Sequence, residues 1–191
     1  ASGQIGRNLI RSLTENNIKV TALTRNVHQK GYMLKTQANP GYLEIVEGSI
    51  FDHELIEKLF SNADLCVNLI GILFEKGKNN FNNIHVEFPK MISRYALTYK
   101  LEKFVHISAL GIENAEDSVY AQSKLKGEKE ILNNFNKTVI VRPSIVYSVD
   151  DNFTTQLMTL LGLLPIFPIY YNGKTKFRPI HCSDLTNSVT K

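Results

Sequence analysis

The sequence has no tryptophan, only two cysteines and six prolines among 191 residues, and neither sign of charge dominates it. Cys66 lies in an apolar run and Cys182 near the end of the chain, too few and too far apart for a disulfide framework or a metal-ligand cluster. A reduced compartment and no metal site are therefore expected. The net charge of +4 comes from interleaved lysines and glutamates, as in Lys124-Leu-Lys-Gly-Glu-Lys-Glu130. That pattern describes a solvated helix face, and no nucleic-acid partner is expected.

Long hydrophobic runs are also lacking. Phe153 to Tyr171 is uncharged and approaches the length of a membrane span, but Gln156, Gly162, Pro165 and Pro168 interrupt it. The expectation is a helix followed by a proline-broken loop, lining a cleft or facing a partner, with no transmembrane span.

What is present is a repeated alternation. Runs rich in β-branched residues at Lys19–Thr24, Tyr42–Val46, Leu65–Ile70, Lys103–Ile107 and Thr138–Val141 read as strands buried on both faces. Helical periodicity covers Ile5–Glu15, His53–Phe60, Ile84–Tyr99 and Tyr120–Asn133, with Asp52 as an N-cap and Asn16-Asn17 as a stop. The expected fold is α/β, a Rossmann-type doubly wound parallel sheet with helices on both faces. It is expected to be truncated at both ends, because the chain opens at Ala1-Ser2-Gly3 and stops at Lys191 inside a helical pattern. Residues 1–150 would form an NAD(P)-binding domain, and residues 151–191 the incomplete start of a substrate- or partner-facing region.

The first candidate site is the turn Ser2-Gly3-Gln4-Ile5-Gly6. Glycines let backbone approach a pyrophosphate, and the N–H groups and dipole of the helix that follows attract its charge. Ser2, Gly3, Gln4 and Ile5 are the cofactor-binding candidates there. After the next strand stands Arg25, with no acid beside it in the sequence, which favours a 2′-phosphate and hence NADP(H) over NAD(H). An ordinary surface arginine is the alternative. Asn68 and Gly71, at the end of the third strand, would flank the cofactor, although a tight strand end without a ligand reads the same way. Pro143, after Arg142, would bring backbone towards the nicotinamide end, or would simply terminate a strand.

Tyr-x-x-x-Lys occurs three times, at Tyr99/Lys103, Tyr120/Lys124 and Tyr170/Lys174, so spacing alone selects none of them. Only Tyr120 and Lys124 lie within one helical segment, on one face, after a strand that ends in Ser108. A lysine ammonium beside a phenol would lower the tyrosine pKa and fit Tyr120 for general acid–base work, with the Ser108 hydroxyl orienting a substrate oxygen. An amphipathic helix face is the competing reading. His106, in mid-strand, reads as a packed core residue, and His181 carries no assigned role.

Together, Val67-Asn-Leu-Ile-Gly-Ile-Leu-Phe74, His85-Val-Glu-Phe-Pro-Lys90, Phe104-Val-His-Ile-Ser-Ala-Leu-Gly111, Tyr120-Ala-Gln-Ser-Lys-Leu-Lys-Gly-Glu128 and Val141-Arg-Pro-Ser-Ile-Val-Tyr147 resemble the short-chain dehydrogenase/reductase superfamily. The likeness is to its extended or atypical branch of NAD-dependent epimerases and dehydratases, and within it to the nucleotide-binding accessory subunits of respiratory complex I and their bacterial homologues. The resemblance implies a bound NADP(H), Tyr120 as proton donor and acceptor, Lys124 on the ribose hydroxyls, and a serine at the end of the preceding strand. Two positions depart from that pattern: Ser108-Ala109 stands where paired serines are usual, and Gly48 is followed by Ser49 instead of aspartate. Adenine would then be met by Ser49 and Ile50.

Two functions follow as expectations. One is an oxidoreductase or epimerase working through Tyr120 and Lys124, and the other a complex I subunit that holds a nucleotide without turnover. The resemblance places the protein in the cytoplasm if bacterial, peripheral to the inner membrane, or on the matrix side of the mitochondrial inner membrane.

Overall fold

The computed structural model describes residues 1–164, 170–174 and 176–191, apart from the side chains of residues 152, 170 and 171. Helix α1 (Gln4–Glu15) leads into β1 (Val20–Thr24), and α2 (Val27–Lys35) crosses over to β2 (Leu43–Glu47), which runs parallel to β1. Helix α3 (His53–Phe60) leads to β3 (Leu65–Asn68). A π-helical segment, Asn82–Glu87, then continues into α4 (Phe88–Thr98) and β4 (Lys103–Ile107). Helix α5 (Val119–Asn134) crosses to β5 (Thr138–Val141), and the strands pair in parallel in the order β3-β4-β5. The described chain ends with β6 (Val146–Tyr147), α6 (Asn152–Leu163), β7 (Ile180–His181) and α7 (Cys182–Thr190).

The crossovers are helical because each strand must run in the same direction as its neighbour, and a parallel return needs a dozen or more residues. Ile56, Phe60, Ile92, Phe104 and Ile131 form one core joining α3, α4, β4 and α5. Ile10, Ala22 and Leu34 form a second, between α1, β1 and α2. Helix α7 returns onto α1, where Ser12 Oγ lies 2.9 Å from Thr190 Oγ1. Asp52 caps α3 by accepting from Leu55 N, and Asn17 takes a left-handed φ of 60° after the end of α1, as their positions in the sequence imply.

Three elements differ from expectation. Helix α2 gives too thin a periodic signal to read, since only Gly31 and Leu34 are buried along it, and Asn26 nucleates it by accepting from Gln29 N. The third strand ends at Asn68 and not at Ile70, because the Asn68 side chain takes the Ile70 N–H at 3.0 Å. The single helix expected over Ile84–Tyr99 is instead a π-helical segment followed by α4. Pro89 lacks the N–H that the His85 carbonyl would accept in an α-helix, and α5 presses on that freed carbonyl. A Cβ at Gly127 would lie 1.8 Å from His85 O.

The charge-free helix expected from Phe153 is α6, and its exposed residues include Met158, Leu161 and Leu163. The loop at Pro165 and Pro168 lies outside the described residues. Among the described residues, no helix is long and apolar enough to cross a membrane.

Candidate functional site

Helix α1 begins at the glycine turn. Gly3 is its N-cap, extended at φ −73° and ψ 169°, and no side chain caps the helix or places an acid in its first turn. The first N–H groups are therefore free of side-chain partners and, with the helix dipole, favour an anion. Gly6 is compelled by the protein itself, since a Cβ there would sit 2.0 Å from Ala1 O. Gly3 is not, because a Cβ there would meet nothing within 4 Å. The space at Gly3 is where a pyrophosphate would approach the backbone, so the turn fits the group that its residues imply.

The Gln4 and Arg7 side chains at this turn are committed elsewhere. Ser2 O accepts from Arg7 Nη1, and Arg7 also pairs with Asp150. Gln4 Nε2 donates to Val146 O, while Gln4 Oε1 accepts from Ser148 Oγ. Gln4 thus ties the turn to β6 and leaves only its backbone for an anion, while Ile5 is half-buried. Arg25 is exposed and has no ion-pair partner among the described residues. An acid does stand by this strand end, which the linear sequence hides: the β1–β2 register sets Thr24 opposite Glu47. The Glu47 carboxylate accepts from Val27 N at 3.0 Å.

Asn68, at the end of β3, is buried and fully engaged. Its Oδ1 accepts from Ile70 N, and its Nδ2 donates to His106 Nδ1 at 3.0 Å across the β3–β4 pairing. It shapes the strand end with its side chain and offers none of it to a ligand. Burial first, then the nearby Lys124 ammonium, pushes His106 down to about 3, so this histidine is neutral. Pro143 O accepts from Leu110 N and links the loops after β4 and β5. His181 caps α7, its Nδ1 accepting from Ser183 N.

Ser118 caps α5 by accepting from Ala121 N, which sets Tyr120 and Lys124 in the first turns of one helix. Lys124 is only 5% exposed, and its Nζ donates to Ile107 O at 3.2 Å. Burial pushes the Lys124 ammonium down to about 8 against the opposing pull of Glu128. The same ammonium would lie 3.6 Å from a Cβ at Gly71, so α5 and the loop after β3 meet at this point. Burial raises the Tyr120 phenol, and no hydrogen bond joins it to Lys124 among the described residues. The sequence led us to expect a lowered value; the protein instead turns Lys124 towards a backbone carbonyl.

Ser108 is buried at the end of β4, and its Oγ has no hydrogen-bond partner among the described residues. It helps to hold Glu128 low, so it lies on the Glu128 side without bonding geometry. An orphaned buried hydroxyl is uncommon and suits a site that takes a polar ligand atom. Burial, the largest influence, would raise the Glu128 carboxyl, but hydrogen bonds from Arg142 Nε and Nη2, at 3.0 and 2.6 Å, act with Ser108, the Arg142 charge and His106 to leave it below its usual range. A groove of about 680 Å³ against Ile50, Phe51, His53, Phe88 and Met91 lies away from Tyr120 and Lys124.

Four participants escaped sequence reasoning: His85, Ser123, Gly127 and Glu128. Pro89, four residues after His85, and the glycine in mid-helix at 127 were the available signals.

Comparison with known proteins bears on the family and the fold. The profile of the NAD(P)H-binding family matches residues 1–160. The chain is 29% identical over 189 residues to the "NADH dehydrogenase [ubiquinone] 1 alpha subcomplex subunit 9, mitochondrial" of Dictyostelium discoideum, covering 99% of this chain and 52% of that one. It is 24% identical over 186 residues to the ceramide reductase of Caulobacter vibrioides, covering 96% of this chain and 56% of that one. The chain thus spans about half the length of the curated relatives it matches. Among solved structures, UDP-glucuronic acid 4-epimerase from Bacillus cereus, in complex with UDP-glucuronic acid and NAD, superposes with a TM-score of 0.77 at 21% identity. That superposition covers 99% of this chain and 69% of the epimerase. A putative NAD-dependent epimerase/dehydratase from Bacillus halodurans superposes with a TM-score of 0.73 at 18% identity, covering 100% and 83%. The sheet is therefore of the Rossmann type, and the chain belongs to the NAD(P)H-binding family.

Proposed function

We propose that the protein binds NADP(H) in preference to NAD(H) and uses Tyr120 and Lys124 in an oxidoreductase- or epimerase-type reaction on a carbonyl or hydroxyl group. The observation that carries this reading is the meeting of Lys124, on the helix that also carries Tyr120, with the Gly71 loop and with Ile107 O at the end of β4. A bound nicotinamide ring supplies hydride exchange. The chain's own groups do the rest. Backbone N–H groups of Gly3, Gln4 and Ile5, with Ser2 before them, hold the pyrophosphate, and Arg25 takes the 2′-phosphate. Backbone at Asn68, Gly71 and Pro143 flanks the dinucleotide. Lys124 turns from Ile107 O to the ribose hydroxyls, and Tyr120 passes a proton to or from the substrate oxygen while the Ser108 hydroxyl orients it. Residues 151–191 begin the substrate- or partner-facing side.

Two substitutions test this. Tyr120→Phe is expected to leave dinucleotide affinity within about threefold and to lower turnover by about 100-fold or more, the usual worth of a positioned acid–base group. Unchanged turnover in that variant would remove Tyr120 from the chemistry. Arg25→Ala is expected to weaken NADPH about tenfold, near 1.4 kcal/mol, with NADH changed less than twofold. Equal losses for both, read by fluorescence titration, would sink the assignment to the 2′-phosphate.

A second reading is favoured by one observation: burial raises the Tyr120 phenol and Lys124 is spent on a carbonyl. In that reading the protein holds the dinucleotide without turnover as a subunit of respiratory complex I. It would sit peripherally on the inner membrane, on the cytoplasmic side in a bacterium or the matrix side in a mitochondrion. Co-purification with respiratory subunits together with full function of the Tyr120→Phe variant would select it.

A further inference from the structure

His85 lies in the π-helical segment, and its side chain contacts both the loop after β3 and the first turns of α5. The residue is 2% exposed, and its ring sits between two partners. Nε2 accepts from Ile72 N at 3.1 Å, in the loop that holds Gly71. A nitrogen that accepts carries no proton, so the ring hydrogen is on Nδ1. Nδ1 then donates to Ser123 Oγ at 2.9 Å, and Ser123 Oγ donates to Tyr120 O at 2.7 Å. One imidazole therefore joins the loop after β3 to the first turns of α5.

The ring is also fixed in orientation. Phe81 stacks on it at 5.4 Å and 18°, and Tyr120 meets it edge-on at 5.4 Å and 85°. Its backbone is held too, because α5 lies against His85 O at Gly127. A Cβ at Gly71 would be 3.7 Å from His85 Nε2 and 3.6 Å from Lys124 Nζ, so loop, imidazole and lysine share one small volume. Burial first and the Lys124 charge second push His85 down to about 4. It stays neutral at working pH and keeps one tautomer, which suits a fixed strut and not a proton carrier.

We propose that His85 is a positioning residue, which sets the Ile70–Ile72 loop against Tyr120 and Lys124 so that the dinucleotide meets both at fixed spacing. This rests on the dinucleotide reading of the same site. The π-helical segment supplies the geometry: one residue more in the turn aims the ring inward where Pro89 has released the carbonyl. Packing alone would be satisfied by any large side chain there, whereas the two hydrogen bonds require an acceptor and a donor set apart.

His85→Gln offers both groups, and His85→Leu offers neither. Exchange of the Ile72 amide, followed by NMR in the dinucleotide-free protein, reports the loop directly, and NADPH fluorescence titration reports the site. His85→Leu is expected to speed Ile72 exchange at least tenfold and to weaken NADPH about tenfold. His85→Gln is expected to restore both to within threefold of the unaltered protein. Should His85→Leu not fold, Ser123→Ala removes the Nδ1 partner alone and is expected to weaken NADPH about threefold. The proposal is overturned if His85→Leu keeps both properties within twofold, or if His85→Gln does no better than His85→Leu. If the unaltered protein binds neither NADPH nor NADH, the dinucleotide reading fails, and Ile72 exchange in the two variants still decides the role of His85.

Discussion

Between pH 7 and pH 5 the protein is expected to lose about 4 kcal/mol of folding stability, with Tm falling by about 10 °C, because two buried histidines are neutral in the fold. Burial and the Lys124 charge depress His85 to about 4 and His106 to about 3, from an ordinary value of 6.5. For a depressed group, the unfolded chain takes up protons first. The contribution is complete above pH 6.5 and drains away as pH falls towards the folded values, at about 1.4 kcal/mol per pH unit for each histidine. The structure gives the mechanical reason as well. His106 Nδ1 accepts from Asn68 Nδ2, and His85 Nε2 accepts from Ile72 N, so protonation at either nitrogen breaks a buried hydrogen bond. Glu128, held low by Arg142, adds a loss of the same sign at still lower pH. Melting curves by circular dichroism at half-unit pH steps measure this. The slope should halve in His106→Asn, and a Tm flat from pH 7 to pH 5 would contradict the assignment.

The second large effect concerns Gly127. Gly127→Ala places a methyl 1.8 Å from His85 O, a backbone atom that cannot rotate away. Helix α5 and the π-helical segment must move apart, at a cost of about 3 kcal/mol or more, which is the upper range for overpacking. The same displacement separates Lys124 and Tyr120 from the Gly71 loop, so NADPH affinity should fall together with stability. Gly162→Ala is the matched control: among the described residues a Cβ there meets nothing within 4 Å, and alanine should be neutral or stabilising by about 0.5 kcal/mol. Chemical denaturation of the two variants measures the contrast, and a Gly127→Ala protein as stable as Gly162→Ala would mean that α5 does not lie against His85.

Some of this is legible in the sequence. The four-residue spacing of Tyr120 and Lys124 could place them on one helix face, and the alternation of apolar runs with periodic segments could mark strands and crossovers, because both are local consequences of backbone geometry. Helix α3 and its Asp52 cap, and the end of α1 at Asn16, were readable for the same reason. Helix α2 was not, because it buries little and leans on a cap from Asn26. Nor was the acid at the end of β1, since Glu47 is brought opposite Thr24 by strand register and not by sequence distance.

The interior of the site was the least legible part. His85 and Tyr120 are 35 positions apart, and Glu128 and Arg142 belong to different elements; which of them touch depends on how α5 crosses the segment behind Pro89. Burial then acts on their charges in ways that spacing cannot report, raising Tyr120 and lowering Lys124 where a neighbouring pair in water would have the tyrosine lowered. The sequence by itself determined the α/β alternation, the glycine turn at α1 and the Tyr120–Lys124 pair, since each depends on neighbours within one turn or one strand. Only the tertiary structure decided that a neutral His85 binds the Gly71 loop to that pair, because close packing and the hydrogen bonds of buried groups are set by contacts between elements.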